Sequence, residues 1–588
     1  MLKLFRFLKP YRWIVALVLV LILLQSLCDL YLPTLMSDIV DKGVIPGDKP
    51  YIWRIGGFML LVTAFGTIVS VAASYVSSRI ATSFGRDVRS KTFKHVSKFS
   101  LQEFDKIGTA SLITRTTNDI NQVQQVLIMM IRLMVSAPMM CIGGLIMAVS
   151  KDATLSLIFV AAIPILALTI FIIARRGIPY FRVMQKKVDK LNLVLRENLT
   201  GMRVVRSFNR GEHESKRFEQ ANADLTATAV KVNQIMAFMM PMMMIILNFS
   251  SIAIIWFGGL RINSGHMEVG DLMAFLQYAM QIMFSLMMVS MMFVMVPRAA
   301  ASAVRINEVL AMEPVIKEAE ATADNGDEGE GVEADEQPAA PRGVVAFDQV
   351  TFRYPGAENA AVEAISFSAN PGEVTAIIGG TGSGKTTLLN LMTRFYDTGE
   401  GAVTIDGIDV REVPLEQLRS LIGLVPQKAM LFTGTIADNI RFGKNDAKEE
   451  EVAHAADTAQ ATEFISGMPE GFNTPIAQGG TNVSGGQRQR LSIARALVRQ
   501  PRIYLFDDSF SALDFKTDAK LRAALKQETA DSTVIIVAQR VSTVMDADRI
   551  IVLEDGRIVG NGNHRELMAS SNVYREIVAS QLSEEEIA

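Results

Sequence analysis

The first half of the sequence carries six long apolar stretches, approximately Trp13 to Leu35, Ile55 to Ser77, Leu127 to Ser150, Ala153 to Ala174, Met236 to Gly258 and Leu272 to Val296. Each is near the ~20 residues that a helix needs to cross a bilayer. Helices apolar all round cannot be hidden in the core of an ordinary soluble domain, so a lipid bilayer is the first predicted partner. With 588 residues, 49% of them hydrophobic, and a mean hydropathy of +0.26, the chain is too long for one core and too apolar for a soluble protein. A formal charge of −3 leaves no overall basic field to argue for nucleic acid. The two cysteines, Cys28 and Cys141, lie in apolar stretches without metal-ligand spacing, which excludes a disulfide framework.

Lys and Arg set the predicted orientation. Lys3, Arg6, Lys9 and Arg12 precede the first span; Arg79, Arg86, Arg89, Lys91, Lys94 and Lys98 follow the second; Arg175, Arg176, Arg182, Lys186, Lys187 and Lys190 follow the fourth. The loops around Gly47, Lys151 and Gly265 are short and poorer in positive charge. Both termini are therefore expected in the cytoplasm of a multi-pass inner-membrane protein. The basic, amphipathic N-terminus MLKLFRFLKPYRW reads as an interfacial helix, having no small-residue cleavage site. Trp13, Trp53 and Trp256 fall near span ends, where an aromatic belt belongs.

The segments between spans two and three, and between four and five, are long and helix-compatible, so the spanning helices should continue into the cytoplasm. Turns near Leu101 to Lys106 and Val205 to Glu212 place Phe104 and Phe208 among charges at the tips of these extensions, either as docking points or as plain exposed loops. Asp29 is the one acid well inside a span; it should face a substrate cavity or hydrogen-bond a neighbouring helix, because an ionisable group at mid-membrane is costly. Methionine is concentrated in the last two spans, as in MAFMMPMMMII and MQIMFSLMMVSMMFVM. Such flexible, polarizable side chains suit a surface that repacks around varied apolar ligands, and equally serve packing or lipid contact.

Residues 317–342, KEAEATADNGDEGEGVEADEQPAAPR, combine like charge with almost no apolar residues and read as a disordered linker. This divides a membrane domain, 1–316, from an α/β domain, 343–588, in which strands and helices alternate. There Gly379 to Thr387, GGTGSGKTT, fits the phosphate-binding P-loop pattern between an apolar strand, Glu373 to Ile378, and a helix, Leu388 to Phe395. Gly379, Gly380, Thr381, Gly382, Ser383 and Gly384 offer backbone N–H groups to phosphate oxygens; Lys385 reaches the β/γ-phosphates, and Thr386 and Thr387 open the helix, with the Thr386 hydroxyl available to Mg²⁺. The strand Ile503 to Asp507 ends in a carboxylate suited to the same ion. Upstream, Val483 to Gln487, VSGGQ, precedes a helix and forms a second anion-binding turn.

Together these motifs resemble an ABC exporter half-transporter: a six-helix, all-α membrane domain fused to an α/β P-loop ATPase domain, over nearly the whole chain. The resemblance implies ATP and Mg²⁺ as cofactors. Tyr354 matches the family's adenine-stacking aromatic and Gln427, in LVPQKAMLF, its Q-loop, which also serves the metal alongside Thr386 and Asp507. Ser484, Gly485, Gly486 and Gln487 match the signature motif, Ser511 to Asp514 the D-loop, and the segments around Phe104 and Phe208 the coupling helices. In the family two halves dimerise head to tail, each ATP lying between one P-loop and the opposite signature.

Two positions depart from the family pattern. Where the family has a catalytic glutamate, this chain has Asp508, one methylene shorter; a misplacement of that order can cost roughly a hundredfold in rate. Where it has a histidine near the γ-phosphate, this chain has Gln539, which hydrogen-bonds but carries no proton or charge. With its signature intact, the chain resembles the degenerate half of a heterodimeric bacterial multidrug exporter, its partner a homologous half carrying the missing Glu and His. ATP-driven export of amphipathic or drug-like compounds is expected. An importer using the exporter fold, an exporter of lipid or peptide, and a non-hydrolytic regulatory subunit are the alternatives.

Overall fold

The computed structural model describes residues 3–317 and 342–582. The stretch read as a disordered linker, apart from its end residues Lys317 and Arg342, lies outside these residues. The chain divides into two compact units: Met1–Ser97 with Thr109–Glu313, and Lys98–Gly108 with Pro314–Ala588. The short segment Lys98–Gly108, which the sequence assigns to the membrane domain, thus packs with the second unit.

In chain order the helices of the first half are α1 (Arg12–Ile39), α2 (Lys49–Val96), α3 (Leu101–Ile107), α4 (Thr109–Thr116), α5 (Asn118–Lys151), α6 (Leu157–Thr200), α7 (Met202–Ser207), α8 (Gly211–Ala237), α9 (Met239–Asn263) and α10 (Val269–Ala311). Among the described residues, six helical stretches are long and apolar enough to cross a membrane, and each overlaps one of the apolar runs in the sequence. The fourth begins later than expected, at Leu157, because Asp152 accepts a hydrogen bond from the Leu155 N–H at 2.8 Å and holds a turn ahead of it. Helix α2, with 48 residues, is about 72 Å long at 1.5 Å per residue, more than twice a bilayer's hydrocarbon core. The N-terminal stretch forms a 3₁₀ helix, Leu4–Tyr11, tighter than the helix expected; Leu4 is buried and the Tyr11 hydroxyl donates to Asp87 at 2.6 Å.

Small residues let α1, α5 and α10 approach closely. A Cβ on Gly144 of α5 would lie 2.9 Å from Ile282 of α10, and one on Gly143 would overlap Leu30 of α1. Polar ties lock both ends of the bundle. Buried Asp119 of α5 is paired with Arg305 of α10, while Lys151 of α5 and Ser37 of α1 reach Asp271 of α10 at 2.7 and 2.8 Å. The tip between α7 and α8 carries Phe208, 73% exposed.

The second unit contains strands β1 (Val345–Phe352), β2 (Val362–Ala369), β3 (Val374–Gly379), β4 (Glu400–Ile405), β5 (Ile408–Asp409), β6 (Ile422–Val425), β7 (Gly434–Thr435), β8 (Pro475–Ile476), β9 (Ile503–Asp507), β10 (Thr533–Val537), β11 (Arg549–Glu554) and β12 (Arg557–Gly562). A six-stranded sheet has the order β12-β11-β3-β10-β9-β6 and is parallel except for β12. Its strands β9 and β10, IYLFD and TVIIV, are buried at every position, as a parallel sheet covered on both faces requires. A four-stranded sheet, β2-β1-β4-β5, is antiparallel. Because β6, β9, β10 and β3 are neighbours and point the same way, the loops leaving their C-terminal ends converge on one edge, the usual ligand edge of such sheets.

Helix α3 joins this unit through its own side chains. Glu103 caps it, accepting from the Ser100 N–H at 2.6 Å, and its second carboxylate oxygen accepts from the Val315 N–H at 3.2 Å. Tyr396 donates its hydroxyl to Asp105 at 3.1 Å, and Phe104 meets Phe99 edge-on at 6.4 Å. The residue pattern alone gave a turn here and the resemblance a coupling helix; the capping box makes it a helix.

Candidate functional site

The loop between β3 and the helix Lys385–Met392 turns sharply upward through Gly382 and Gly384, at φ +85° and +97°. Gly384 is doubly required, since a Cβ there would sit 2.7 Å from the Ala361 carbonyl. The helix starts three residues before the apolar spacing that begins at Leu388, with Thr386 in its first turn as the motif implies, and stops at Met392, short of Phe395, after which Arg394 adopts a left-handed φ of +49°. The early start places Lys385, Thr386 and Thr387 in the first helical turn. Gly380, Thr381 and Gly382 form an exposed crest, whereas Ser383 and Lys385 are buried beneath it. The Lys385 ammonium donates to the Gly379 and Gly380 carbonyls at 2.8 and 2.6 Å, with Ser383 Oγ at 3.3 Å. Burial lowers the Lys385 pKa, opposed by the charges of Asp508 and Asp507.

Asp507 ends β9 and is buried; the Thr386 hydroxyl donates to it at 3.1 Å. Burial holds the Asp507 carboxyl above the usual carboxylate range despite that donation. Asp508 follows in the left-handed region, φ +45°, its N–H donating to the Val537 carbonyl at 2.8 Å and its carbonyl accepting from the Ser511 hydroxyl at 2.9 Å. Its carboxylate lies 3.4 Å from Gln427 Nε2, so the loops after β6 and β9 meet through these two side chains. Gln539 leaves the end of β10 with an exposed side chain, in the loop whose Ala538 and Arg540 share a small recess with Asp508.

Tyr354 stands two residues beyond β1. It packs edge-on against Phe352 and Tyr396, its hydroxyl 3.1 Å from Thr387 Oγ1. Ser484, Gly485, Gly486 and Gln487 form a second group at the start of the helix Gly485–Leu497. Ser484 accepts from the Gln487 N–H at 3.2 Å while Gln487 accepts from the Ser484 N–H at 2.9 Å. A Cβ on Gly486 would sit 3.2 Å from the Ala512 carbonyl, which ties this turn to the SALD segment. Asp514 ends that segment as the cap of the helix Phe515–Glu528, accepting from the Thr517 N–H at 3.0 Å, and that bonding lowers its pKa.

In the first unit a cavity of about 640 Å³ opens between α1, α5, α9 and α10. Eight methionines line it: Met140, Met240, Met243, Met244, Met280, Met283, Met287 and Met288. Its polar rim includes Gln25, Ser136, Gln281 and Ser285. Asp29 is not among the lining residues; its backbone carbonyl accepts from Gln281 Nε2 at 3.1 Å. The sequence reading missed Gln25, one turn before Asp29, although a glutamine inside LILLQSLCDL is as legible a signal as the acid.

Comparison with known proteins accords with this arrangement. Residues 15–286 match the ABC transporter transmembrane region and residues 362–511 the ABC transporter family. An uncharacterized ABC transporter ATP-binding protein of Mycobacterium tuberculosis is 45% identical over 580 residues, covering 97% of each chain. A fatty acid ABC transporter ATP-binding/permease protein of Mycobacterium bovis is 33% identical over 88% of this chain and 78% of its own. A bacterial Atm1-family ABC exporter solved with ATP bound superposes with a TM-score of 0.79 at 25% identity, over 97% of this chain and 99% of that one. The chain therefore belongs to the ABC transporters and has the exporter architecture, a multi-pass membrane protein whose six apolar helices are fused to a transport-ATPase domain.

Proposed function

We propose that this chain is one half of a heterodimeric exporter, contributing an ATP site that binds nucleotide and hydrolyses it poorly, together with a signature turn that completes the partner's competent site. The observation that carries this reading is the contrast between the two groups of residues. The signature helix start carries a capping box, whereas the position of the catalytic base holds Asp508, turned toward Gln427, and the position of the histidine holds Gln539.

The residues present fit ATP and Mg²⁺. The crest Gly380–Gly382 is open, with no atom within 4 Å of a Cβ placed on either glycine, and Thr386, Asp507 and Gln427 supply the hard oxygen ligands that Mg²⁺ prefers. When bound, Mg²⁺ neutralises phosphate charge. Lys385 adds a fixed positive charge beneath the crest, and Tyr354 offers an aromatic face for the base. Asp508 is short for aligning a water, and Gln539 donates a hydrogen bond without supplying a proton. Asp514 fixes the end of the 511–514 segment, whose Ala512 lies against Gly486 of the signature, while Phe104 and Phe208 mark the segments that pass motion to the membrane helices. The basic residues flanking the spans favour a cytoplasmic ATPase domain and cytoplasmic termini.

The cargo reading rests on the methionine-lined cavity. Thioether side chains repack around unlike apolar shapes, and the glutamines and serines give a polar end, which suits amphipathic, lipid-like or drug-like molecules. Kinship with a fatty acid transporter favours the lipid-like end of that range.

The test is steady-state ATPase activity of the chain purified alone and after co-expression with a homologous half carrying Glu and His, with native mass reporting the assembly. Low activity alone and high activity in a one-to-one complex are expected. Vigorous hydrolysis by a homodimer would overturn the degenerate-half reading and make Asp508 a working base.

A further inference from the structure

We infer that Gln581, two residues past the C-terminal helix Asn572–Ala579, is a positioning residue for the nucleotide site, holding the loop that carries Gln539. Its side-chain amide grips that loop at two points. Gln581 Oε1 accepts from the Val541 N–H at 2.8 Å, and Nε2 donates to the Gln539 carbonyl at 2.9 Å. An amide matches this pair because it carries one acceptor and one donor side by side, as the two backbone groups do in reverse. Val541 opens the short helix Val541–Val544, so its N–H has no partner within that helix, and Gln581 supplies one.

Both sides of the clamp are anchored. Tyr574 and Val578 bury the C-terminal helix in the same core as Val541 and Val544, the Tyr574 hydroxyl lies 2.8 Å from His564 Nδ1, and the Gln581 N–H donates to the Val578 carbonyl at 3.0 Å. On the other side, Ala538, Arg540 and Thr543 line the recess that holds Asp508 and Ser511, and Val537 accepts the Asp508 N–H. The amide therefore fixes the backbone from which Gln539 projects. Released from it, residues 539–541 lose their tie to the C-terminal helix, and a nucleotide at this site loses a wall. This inference rests on the reading that the P-loop of this chain retains nucleotide.

The experiment uses the purified complex with its partner's base disabled, loaded with radiolabelled azido-ATP, chased with cold ATP for increasing times and then photolysed, the subunits being separated on a gel. Gln581→Ala should release label from this chain several-fold faster and leave retention on the partner's P-loop unchanged. Gln581→Glu separates positioning from general damage. A protonated Glu has both a donor and an acceptor, whereas the ionised form accepts from Val541 and repels the Gln539 carbonyl. The ratio of this variant's retention to wild type's should fall as pH rises through the carboxyl's range; the ratio carries the step because Asp507 titrates in both proteins. Arg540 in the clamped loop, and Arg575 and Glu576 in the helix leading to position 581, are the charged residues along these segments; they shift the midpoint, not the direction. Wild-type release from the Ala variant, or a pH-independent ratio for the Glu variant, would overturn the inference. Lys385→Ala is the separate control. If it leaves labelling of this chain intact, the nucleotide-site reading itself fails; if it abolishes labelling while Gln581→Ala changes nothing, the inference alone falls.

Discussion

Asp508 and Gln539 extend from adjacent parallel strands, so their effects should be joint. On the proposed degenerate-site reading, lengthening the carboxylate alone leaves the γ-phosphate without a histidine, and introducing the histidine alone leaves the water poorly aligned. In the complex with the partner's base disabled, Asp508→Glu with Gln539→His is expected to raise ATPase activity on the order of a hundredfold, and each single change far less. Equal activity in the double variant and the parent would mean that something other than these two side chains limits the site. The P-loop, Asp507 and the signature were legible because their chemistry forces residue type and spacing together. The contact between Asp508 and Gln427 was not, because it depends on β6 and β9 being neighbours, and strand order is not written in either segment. Gln581 carried no signal at all, being an ordinary polar residue in a C-terminal turn.

Among elements, each error of reading has its own physical source. The P-loop helix was placed late because its first turn is polar, so apolar periodicity begins at Leu388, and its end was missed because Arg394 makes a left-handed turn usually marked by glycine. Helix α3 was implied by the resemblance, whereas the residue pattern alone gave a turn although Ser100 and Glu103 have capping-box spacing, since seven residues are too few to show a period. Its link to the rest of its unit is testable through Tyr396. Burial, reinforced by donation to Asp105, pushes this hydroxyl up to about 12. The folded state thus holds its proton more tightly than the unfolded chain does, so the contribution is complete below about pH 10 and lost as pH rises through 12. Tyr396→Phe should lower the melting temperature of the ATPase unit by a few degrees, about what losing 1 kcal/mol does at this size, and reduce the alkaline component of its unfolding curve, to which buried Tyr574 and Tyr504 also contribute. An unchanged alkaline limb would show that another group titrates there.

For the whole molecule, the first half was legible as spans because the bilayer imposes length and hydrophobicity, and the cavity was not, because which methionines converge depends on how α1, α5, α9 and α10 pack. Narrowing that cavity is the direct test of its role. Met243→Trp and Met283→Trp are each expected to suppress stimulation of ATPase activity by bulky amphipathic compounds in reconstituted vesicles, while azido-ATP labelling stays intact. Stimulation that survives both would place the cargo elsewhere. The side-chain ties of α3 also bear on gene architecture. A fragment that starts after the acidic stretch keeps every nucleotide motif but leaves Tyr396 without Asp105, a partner encoded nearly three hundred codons upstream. Cutting at the low-complexity boundary does not cut at the structural seam, so an ATPase moved between genes on its own leaves behind residues 98–108 of its compact unit and the small stabilisation they supply.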